Sequence, residues 1–231
     1  TAVTQSPDKR WIVTMLADSP LKLRIVDTER LQAGLSETTL PIDIIDTKQA
    51  GTWKLLEWAD DNKTILASFT TAQDTQFFTL DREDGTKAVN LTKLFANQPF
   101  NFASFWSRKN DEFHLFNTTN HAIYEVTKNA PNEAKAIVND VLDYKAFGDT
   151  LVYITSTGAP EGKVSAYLKD NGVRYKLRDI AVSDHYLLSI SKLSSVFVIG
   201  VGSPAENRVI VYKDPIAALK QKNAPQIPVP T

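Results

Sequence analysis

The chain has 231 residues, 42% of them hydrophobic and 10% aromatic, with 26 Lys and Arg against 27 Asp and Glu. This composition is that of an ordinary globular protein and excludes collagen-like and intrinsically disordered classes. The net charge of −1 removes the electrostatic basis for a nucleic-acid or anionic-membrane partner. The absence of cysteine excludes disulfides, thiol nucleophiles and cysteine-ligated metal or iron–sulfur sites.

The chain begins at Thr1 and shows no charged start followed by an apolar run, so we expect a signal peptide or anchor to be removed or not included. Its longest apolar runs, such as residues 196–201, are too short to span a bilayer. With the lack of cysteine, these features predict an extracytoplasmic bacterial protein, in the periplasm or at the cell surface, with no membrane insertion of this segment. A membrane anchor or further domains N-terminal to Thr1 would lie outside this sequence.

Short apolar segments rich in Val, Ile, Tyr, Phe and Thr follow one another at spacings of roughly 8–12 residues, as in antiparallel all-β domains. They cover residues 11–16, 23–26, 65–69, 77–80, 113–116, 123–126, 151–154, 164–168, 196–201 and 209–212. Asp84-Gly85 and Asn171-Gly172 supply the residues that tight hairpin turns need. Helical spacing is limited to a turn or two at residues 93–96, 132–138 and 215–221.

These segments repeat as a unit. Five marker strands, each followed by a second strand, are centred on Val13, Leu66, His114, Val152 and Val198. The intervals between successive markers lie around the length of a four-stranded propeller blade, which is ~40–50 residues. The sequence therefore predicts an all-β fold, a β-propeller of about five small four-stranded blades or a fragment of a larger propeller. The approximate blades are residues 1–50, 51–100, 101–141, 142–181 and 182–219, and residues 220–231 are predicted to be a Pro-rich linker or disordered tail.

A recurring motif lies at the expected turn between the first and second strands of a unit. It reads SPDKRWIV at residues 6–13, WADDNKTIL at residues 58–66 and, more loosely, WSRKNDEF at residues 106–113. It resembles the Ser-Pro-Asp-Gly-Lys turn of TolB-like and WD40-like (PD40-type) propeller repeats. The fourth unit keeps only FGDTL at residues 147–151, the fifth diverges further, and the Gly-His pair and Trp-Asp ending of true WD40 repeats are missing.

The overall pattern also resembles the propeller regions of bacterial surface proteins that carry a PEGA domain. The sequence PEGK at residues 160–163 does not contribute to this resemblance, because Lys163 replaces the Ala. The propeller resemblance further implies how a ring would close. In a complete ring residues 2–5 would lie beside the last blade, whereas in a truncated one they would begin their own blade and the last blade would lack an outer strand.

Few residues could carry chemistry. The three histidines, His114, His121 and His185, lack the spacing that places two imidazoles on one helical face. His114 and His121 could meet across a hairpin as a metal pair, but surface or hydrogen-bonded roles are expected. No G-x-S-x-G elbow supplies a hydrolase nucleophile.

The acidic groups have a structural and a chemical interpretation. Asp60-Asp61 and the cluster at residues 81–84 could bind calcium or act as glycosidase carboxylates, but their positions predict turn-forming roles. Glu57 and Asp143 are the acids expected on inner strands.

Three sequons begin at Asn62, Asn90 and Asn117. Aromatic residues near the first strands are expected to pack between blades, with one or two at a channel mouth: Trp53, Trp58, Phe105, Trp106, Tyr144, Phe147 and Tyr186.

The sequence therefore assigns no catalytic, cofactor-binding or metal-binding residue and no cofactor, and it leaves the ligand-binding residues unknown. It predicts a non-catalytic binding scaffold of the bacterial envelope, whose partner is a protein or an envelope glycan bound by rim loops. The alternative is a propeller enzyme acting on glycans or lactones, with a calcium site at the channel mouth. Acidic, amide and His side chains converging on the channel would favour the enzyme, whereas apolar and hydroxyl side chains would favour the scaffold.

Overall fold

The computed structural model describes residues 1–46, 49–191, 196–203, 206–213, 217 and 226–228. Within these residues the regular secondary structure is mostly β-strand, with the short helix α1 (Leu91–Leu94) and two 3-10 turns at Leu31–Ala33 and Gly85–Lys87. No helix of the described residues is long and apolar enough to cross a bilayer.

The strands form four-stranded antiparallel sheets, each built from four consecutive strands. The first contains β1 (Ala2–Gln5), β2 (Trp11–Met15), β3 (Lys22–Asp27) and β4 (Leu35–Thr39). The second contains β5 (Thr52–Trp58), β6 (Thr64–Thr70), β7 (Thr75–Asp81) and β8 (Val89–Asn90). The third contains β9 (Phe102–Phe105), β10 (Glu112–Asn117), β11 (Ala122–Thr127) and β12 (Lys135–Val138).

The last two sheets complete the series. The fourth contains β13 (Val141–Phe147), β14 (Thr150–Thr155), β15 (Lys163–Asp170) and β16 (Val173–Ala181). The fifth contains β17 (His185–Ile190), β18 (Val196–Ser203), β19 (Glu206–Lys213) and β20 (Gln226–Pro228). The predicted all-β propeller class is confirmed, and the five marker residues lie in the second strands of the five sheets.

The chain divides into two compact units, each with its own core. The first unit comprises residues 1–113 and 126–134, and the second comprises residues 114–125 and 135–231. In the first unit, apolar residues of two sheets pack together, among them Val13, Leu23, Trp53, Ile65 and Phe78. In the second unit, a core cluster includes Val152, Leu168, Leu188, Phe197 and Ile199. The second strands carry continuous apolar runs because these central strands are buried on both faces.

The predicted turn motif has a repeated hydrogen-bond pattern. The residue that opens each turn donates its amide to the carbonyl of a residue at the start of the second strand, at 2.8–2.9 Å: Ser6 to Trp11, Ala59 to Thr64, and Trp106 to Glu112. The residue after each third strand donates to the carbonyl just before the second strand: Thr28 to Arg10, Arg82 to Lys63, and Lys128 to Asp111. The first three blades therefore share one backbone hydrogen-bond pattern at this turn.

Two local predictions differ from the structure. Residues 132–138 are predicted to make at most a helical turn or two, but Lys135–Val138 is β12 and pairs with β11. In the region predicted to be a linker or disordered tail, Gln226–Pro228 is β20 and pairs with β19. Proline is tolerated there because the outer edge of a sheet needs no amide donor on its free side. The rest of the tail, and residues 215–221 apart from Ala217, lie outside the described residues.

The first strand does not pair as the closed-ring expectation requires. Residues 2–5 are β1, which pairs with β2 in its own sheet. The last sheet takes its outer strand, β20, from the region predicted to be a linker. Every sheet is therefore built from strands that are consecutive in the chain.

Candidate functional site

The first strands of the sheets are here called the inner strands: β1, β5, β9, β13 and β17. In the first unit β1 contacts β5, and in the second unit β13 contacts β17. Side chains also join these strands, since the Trp58 indole Nε1 of β5 donates to Thr4 Oγ1 of β1 at 3.0 Å. The inner strands therefore place residues from different blades side by side within each unit.

Glu57 links two inner strands of the first unit. It follows a β-bulge in β5, where the register with β6 shifts between Leu55 and Glu57. Its Oε2 accepts a hydrogen bond from the Phe105 amide of β9 at 2.9 Å. Burial raises the pKa of Glu57 to about 7, although the Phe105 amide and the nearby Arg108 act in the opposite direction. The carboxyl group is therefore engaged with the protein's own backbone.

Asp143 has a similar position in the second unit. It follows a β-bulge in β13, between Val141 and Asp143. Its carboxylate accepts hydrogen bonds from the amides of Tyr144 and of Leu188 on β17. Burial raises the pKa of Asp143 against these hydrogen bonds. The two acids predicted for inner strands are thus both half-buried, and both bridge to the next inner strand.

The exposed side chains of the inner strands have a different chemistry. Each inner strand exposes one large apolar side chain: Val3, Leu56, Phe102, Leu142 and Leu187. Leu56 and Leu142 are the extra residues of the two bulges. The exposed charged or titratable side chains on these strands, all of which lie in the described residues, are Lys54, Lys145 and His185. No carboxylate on an inner strand is exposed in the described structure.

A cleft lies at the start of β5 in the first unit. Its volume is about 500 Å³. Its walls come from the start of β5, the end of β6 and the turn that follows, and they consist of Ala50, Gly51, Thr52, Lys54, Thr70, Thr71 and Ala72. These residues form no motif in the sequence, and only the pairing of β5 with β6 brings them together.

The histidines do not form a common site. His114 is buried on β10, and its Nε2 lies 3.4 Å from Glu125 Oε1. His121 Nδ1 lies 3.2 Å from the Val141 carbonyl, and His185 is exposed on β17. Among the described residues, no group of three His, Asp or Glu side chains could hold a metal ion.

His114 belongs to a buried polar network in the second unit. Glu125 Oε1 also lies 2.6 Å from Lys169 Nζ. Burial alone would raise the pKa of Glu125, but the bonds from His114 and Lys169 outweigh it and lower the pKa to about 2. Burial lowers the pKa of His114 despite Glu125, so His114 is neutral at pH 7 and Lys169 supplies the positive charge.

The acidic pairs in the turns act as the turn prediction requires. Asp61 Oδ1 accepts the amides of Lys63 and Thr64, each at 2.8 Å. Asp81 Oδ1 accepts the amides of Glu83 and Asp84, and the Asp84 side chain in turn accepts the Thr86 amide. These carboxylates satisfy backbone donors that the turns would otherwise leave unpaired.

The sequon residues and most of the predicted aromatic residues have structural roles as well. Asn90 is buried, donates to the Ile44 carbonyl and accepts the Lys93 amide at the start of α1. Asn117 is also buried, and Asn62 accepts the amide of Asp8.

Among the aromatic residues, Trp53, Trp58 and Phe105 are buried, and Tyr144 and Tyr186 pack against core clusters. The exposed aromatic residue on an inner strand is Phe102, which the sequence analysis did not single out.

Comparison with solved structures shows the fold to be shared with several propeller proteins. An uncharacterized protein of Listeria monocytogenes EGD-e is 14% identical, with a TM-score of 0.64 over 100% of this chain and 69% of that protein. An oligogalacturonate lyase in complex with manganese is 13% identical, with a TM-score of 0.60 over 97% of this chain and 63% of the lyase. TolB from Acinetobacter baumannii is 16% identical, with a TM-score of 0.52 over 98% of this chain and 51% of TolB.

These similarities support a TolB-like propeller fold. The chain spans about half to two thirds of the length of the structures that it matches. No family model matches the sequence, and no curated protein matches it. The resemblance to PEGA-domain surface proteins finds no support among these comparisons. At identities of 13–16%, the similarity to solved structures extends to the fold alone.

Proposed function

We propose that this chain is a non-catalytic binding scaffold of the bacterial cell envelope that recognises a protein or a glycan. The chemistry of the inner strands carries the proposal. Glu57 and Asp143 are committed to backbone amides, while the exposed side chains beside them are aliphatic, aromatic, hydroxyl-bearing or basic. Acid–base catalysis needs a carboxyl group that a substrate can reach, whereas a binding surface does not. The same reasoning supports the inner strands as a binding surface in addition to the rim loops.

The fold supports the location that we propose. The chain resembles TolB-like repeats and has the TolB fold, and this similarity favours a periplasmic or cell-surface protein. A propeller scaffold presents many loops and strand ends on a rigid frame, so partner recognition can change without changing the core.

Two measurements on the purified chain test this proposal together. The first is saturable retention of one defined protein or glycan from an envelope fraction, with competition by free chain. The second is thermal unfolding in chelator, in millimolar calcium and in magnesium as the control. A ligand at about 100 times its dissociation constant adds about 2.7 kcal/mol to the free energy of unfolding, which raises the Tm by several degrees.

Retention of one partner without turnover, and the same Tm in all three solutions, is the expected result. A calcium-specific rise in Tm, together with product formation from a glycan or lactone, would contradict the scaffold. It would support the alternative, a propeller enzyme with a calcium site.

A further inference from the structure

The outer strand of the fourth sheet has an open edge. β16 (Val173–Ala181) is the last strand of this sheet, and its register pairs are all with β15. Within the described residues, no backbone hydrogen bond joins β16 to an element on its other side. Because alternate residues of an edge strand turn their N–H and C=O groups outward, β16 presents a row of unpaired donors and acceptors.

β16 is also the longest of the outer strands, the last strand of each sheet, in the part of the chain that the structure describes. It has nine residues, whereas β4, β8, β12 and β20 have five, two, four and three. A two-residue turn at Asn171 and Gly172, both with positive φ, joins it to β15 and matches the twist of a hairpin. The edge is therefore extended before any partner arrives, which lowers the entropic cost of binding.

The charged side chains of this edge are mainly basic. β16 contains the cations Arg174, Lys176 and Arg178. Its one acid is Asp179, whose Oδ1 accepts the Ser165 hydroxyl at 2.6 Å and lies 2.7 Å from Lys176 Nζ. Among the carboxylates that the structure describes, none forms an ion pair with Arg174 or Arg178. The edge therefore carries two guanidinium groups that no described carboxylate neutralises.

A β-bulge distributes these cations over both faces of the sheet. Arg178 pairs with Ala166 of β15. Lys176 pairs with the next residue, Tyr167, so the register shifts between these two pairs. Because successive residues of β15 face opposite sides, Arg178 lies on the opposite face from Lys176 and Arg174. Arg174 is exposed, with its guanidinium 4.9 Å from the centroid of the Tyr167 ring. A strand added to this edge would meet a cation on either face.

These features favour one kind of occupant. An extended polypeptide repeats N–H and C=O groups at the spacing of a strand edge, whereas a saccharide or a phosphate can use only the cations. A second copy of β16 is disfavoured, because it would bring arginine and lysine side chains against one another. A strand with acidic side chains is instead complementary to both the backbone and the charge of this edge.

We propose that the outer edge of β16 binds an extended acidic segment of a partner protein, which joins the fourth sheet as an additional strand. The inference rests on the proposed binding function and names the partner as a protein rather than a glycan. Backbone hydrogen bonds to β16 supply the affinity, and carboxylates beside Arg174 and Arg178 supply the preference for an acidic sequence.

The experiment titrates the full chain with probes that separate backbone pairing from charge. The first probe is a capped hexapeptide of alternating Glu and Thr, and its counterpart carries Lys in place of Glu. Two further acidic peptides are N-methylated at the Glu or at the Thr positions, which keeps the charge and blocks one backbone edge. Tripolyphosphate is an anion without a peptide backbone. Amide shifts and hydrogen exchange measured by NMR report binding at residues 173–181.

The acidic peptide is expected to bind and to slow amide exchange within residues 173–181, while the Lys peptide does not bind. One N-methylated peptide should lose binding and the other should keep it, because only one edge of the peptide faces β16. Arg174→Glu reverses an exposed charge and should weaken binding about ten-fold. Lys135→Glu, at an exposed position of the outer strand β12, is the matched control and should leave binding unchanged.

Several outcomes would overturn the proposal. Retained binding of both N-methylated peptides, or equal binding of tripolyphosphate, would show that charge alone attracts the ligand. Binding of the Lys peptide, self-association of the chain through β16, or no binding of the acidic peptide would show that the basic side chains only protect the edge. If the chain retains an envelope partner but binds no acidic peptide, the edge proposal is wrong and the scaffold function stands.

Discussion

Glu57 shows how a buried carboxyl group can link folding to pH. Its ordinary pKa of 4.5 rises to about 7 in the folded protein because burial disfavours the charged form. The folded state therefore binds a proton that the unfolded state has released between these two values. The contribution of Glu57 to the free energy of unfolding is therefore complete below pH 4.5 and is lost as the pH rises through 7.

Replacing Glu57 by glutamine should remove this pH dependence. Glutamine keeps a carbonyl oxygen to accept the Phe105 amide but carries no charge. Relative to the wild type, Glu57→Gln should gain up to about 3 kcal/mol of unfolding free energy between pH 4.5 and pH 8. Urea unfolding at several pH values measures the difference, and Glu133→Gln, at an exposed position, is the control. If the difference in unfolding free energy between the variant and the wild type does not change with pH, the pKa of Glu57 is not raised in the folded protein.

The pair formed by Glu125 and Lys169 should behave in the opposite way to Glu57. The pKa of Glu125 is lowered to about 2, so its contribution is present above pH 4.5 and is lost as the pH falls toward 2. Lys169→Met should cost about 2 kcal/mol at pH 7, less than a fully buried pair would, because the Lys169 side chain keeps 19% of its exposure.

The double variant Lys169→Met with Glu125→Gln tests the cause of this cost. Once the carboxylate is neutral, no buried charge is left without its partner, so the double variant should be more stable than Lys169→Met alone. Equilibrium unfolding of the four proteins in the cycle gives the coupling energy. Additive effects of the two substitutions would show that the contact at 2.6 Å has no energetic importance.

At the scale of the element, the turn between the first and second strands fixes the start of each blade. In the second blade Asp61 accepts the amides of Lys63 and Thr64 and the hydroxyl of Thr64, and Asn110 also donates to it. Its neighbour Asp60 instead forms an ion pair with Arg108 at 2.7 Å. The two adjacent acids therefore have unequal structural roles.

Alanine variants of these two adjacent acids form a matched pair for measuring the role of the turn. Asp61→Ala should lower the free energy of unfolding by about 1–3 kcal/mol, because several donors lose their acceptor. Asp60→Ala should cost less than about 1 kcal/mol, because it removes a surface ion pair. Denaturant unfolding of both variants measures the ranking, and equal losses would mean that the turn bonds do not hold the blade. Salt should reduce only the effect of Asp60→Ala.

The sequence predicted the central strands far better than the others. Strands such as β6 and β14 are buried on both faces, so their apolar runs are continuous and visible. Outer strands such as β4 and β16 are exposed or half-buried along nearly all of their length, and their mixed composition gives no such run. The bulges that expose Leu56 and Leu142 depend on pairing with the next strand, which a linear pattern does not record.

The same limit applies to the candidate site. Glu57 and Asp143 could be placed on inner strands from the repeat, but their engagement by amides of the next blade is a tertiary property. Lys54, Thr52 and Thr70 carry no motif, because they become neighbours only when β5 pairs with β6. Composition excluded several functions, whereas the position of the cleft depended on contacts between strands.

At the scale of the whole molecule, repetition explains why the sequence predicts the architecture and why one outer strand has no visible pattern. Each sheet takes four consecutive strands, so identifying two central strands for each unit was enough to predict the architecture. The exception was the last outer strand, because Pro228 and the neighbouring prolines give β20 the composition of a linker. The strand β20 nevertheless pairs with Ile210, Val211 and Tyr212 of β19. An edge strand can therefore form through backbone pairing even where the sequence lacks an apolar pattern.

Two truncations decide whether β20 is part of the folded sheet in solution. A chain ending at Pro225 loses β20, whereas a chain ending at Pro228 keeps it and serves as the control. Loss of β20 leaves the outer edge of β19 unpaired, so the shorter chain should melt about 2–6 °C lower. It should also self-associate more readily, because a free edge can pair with another molecule. Calorimetry and light scattering on both truncations measure these effects, and identical behaviour would mean that the tail is a linker, as its composition predicted.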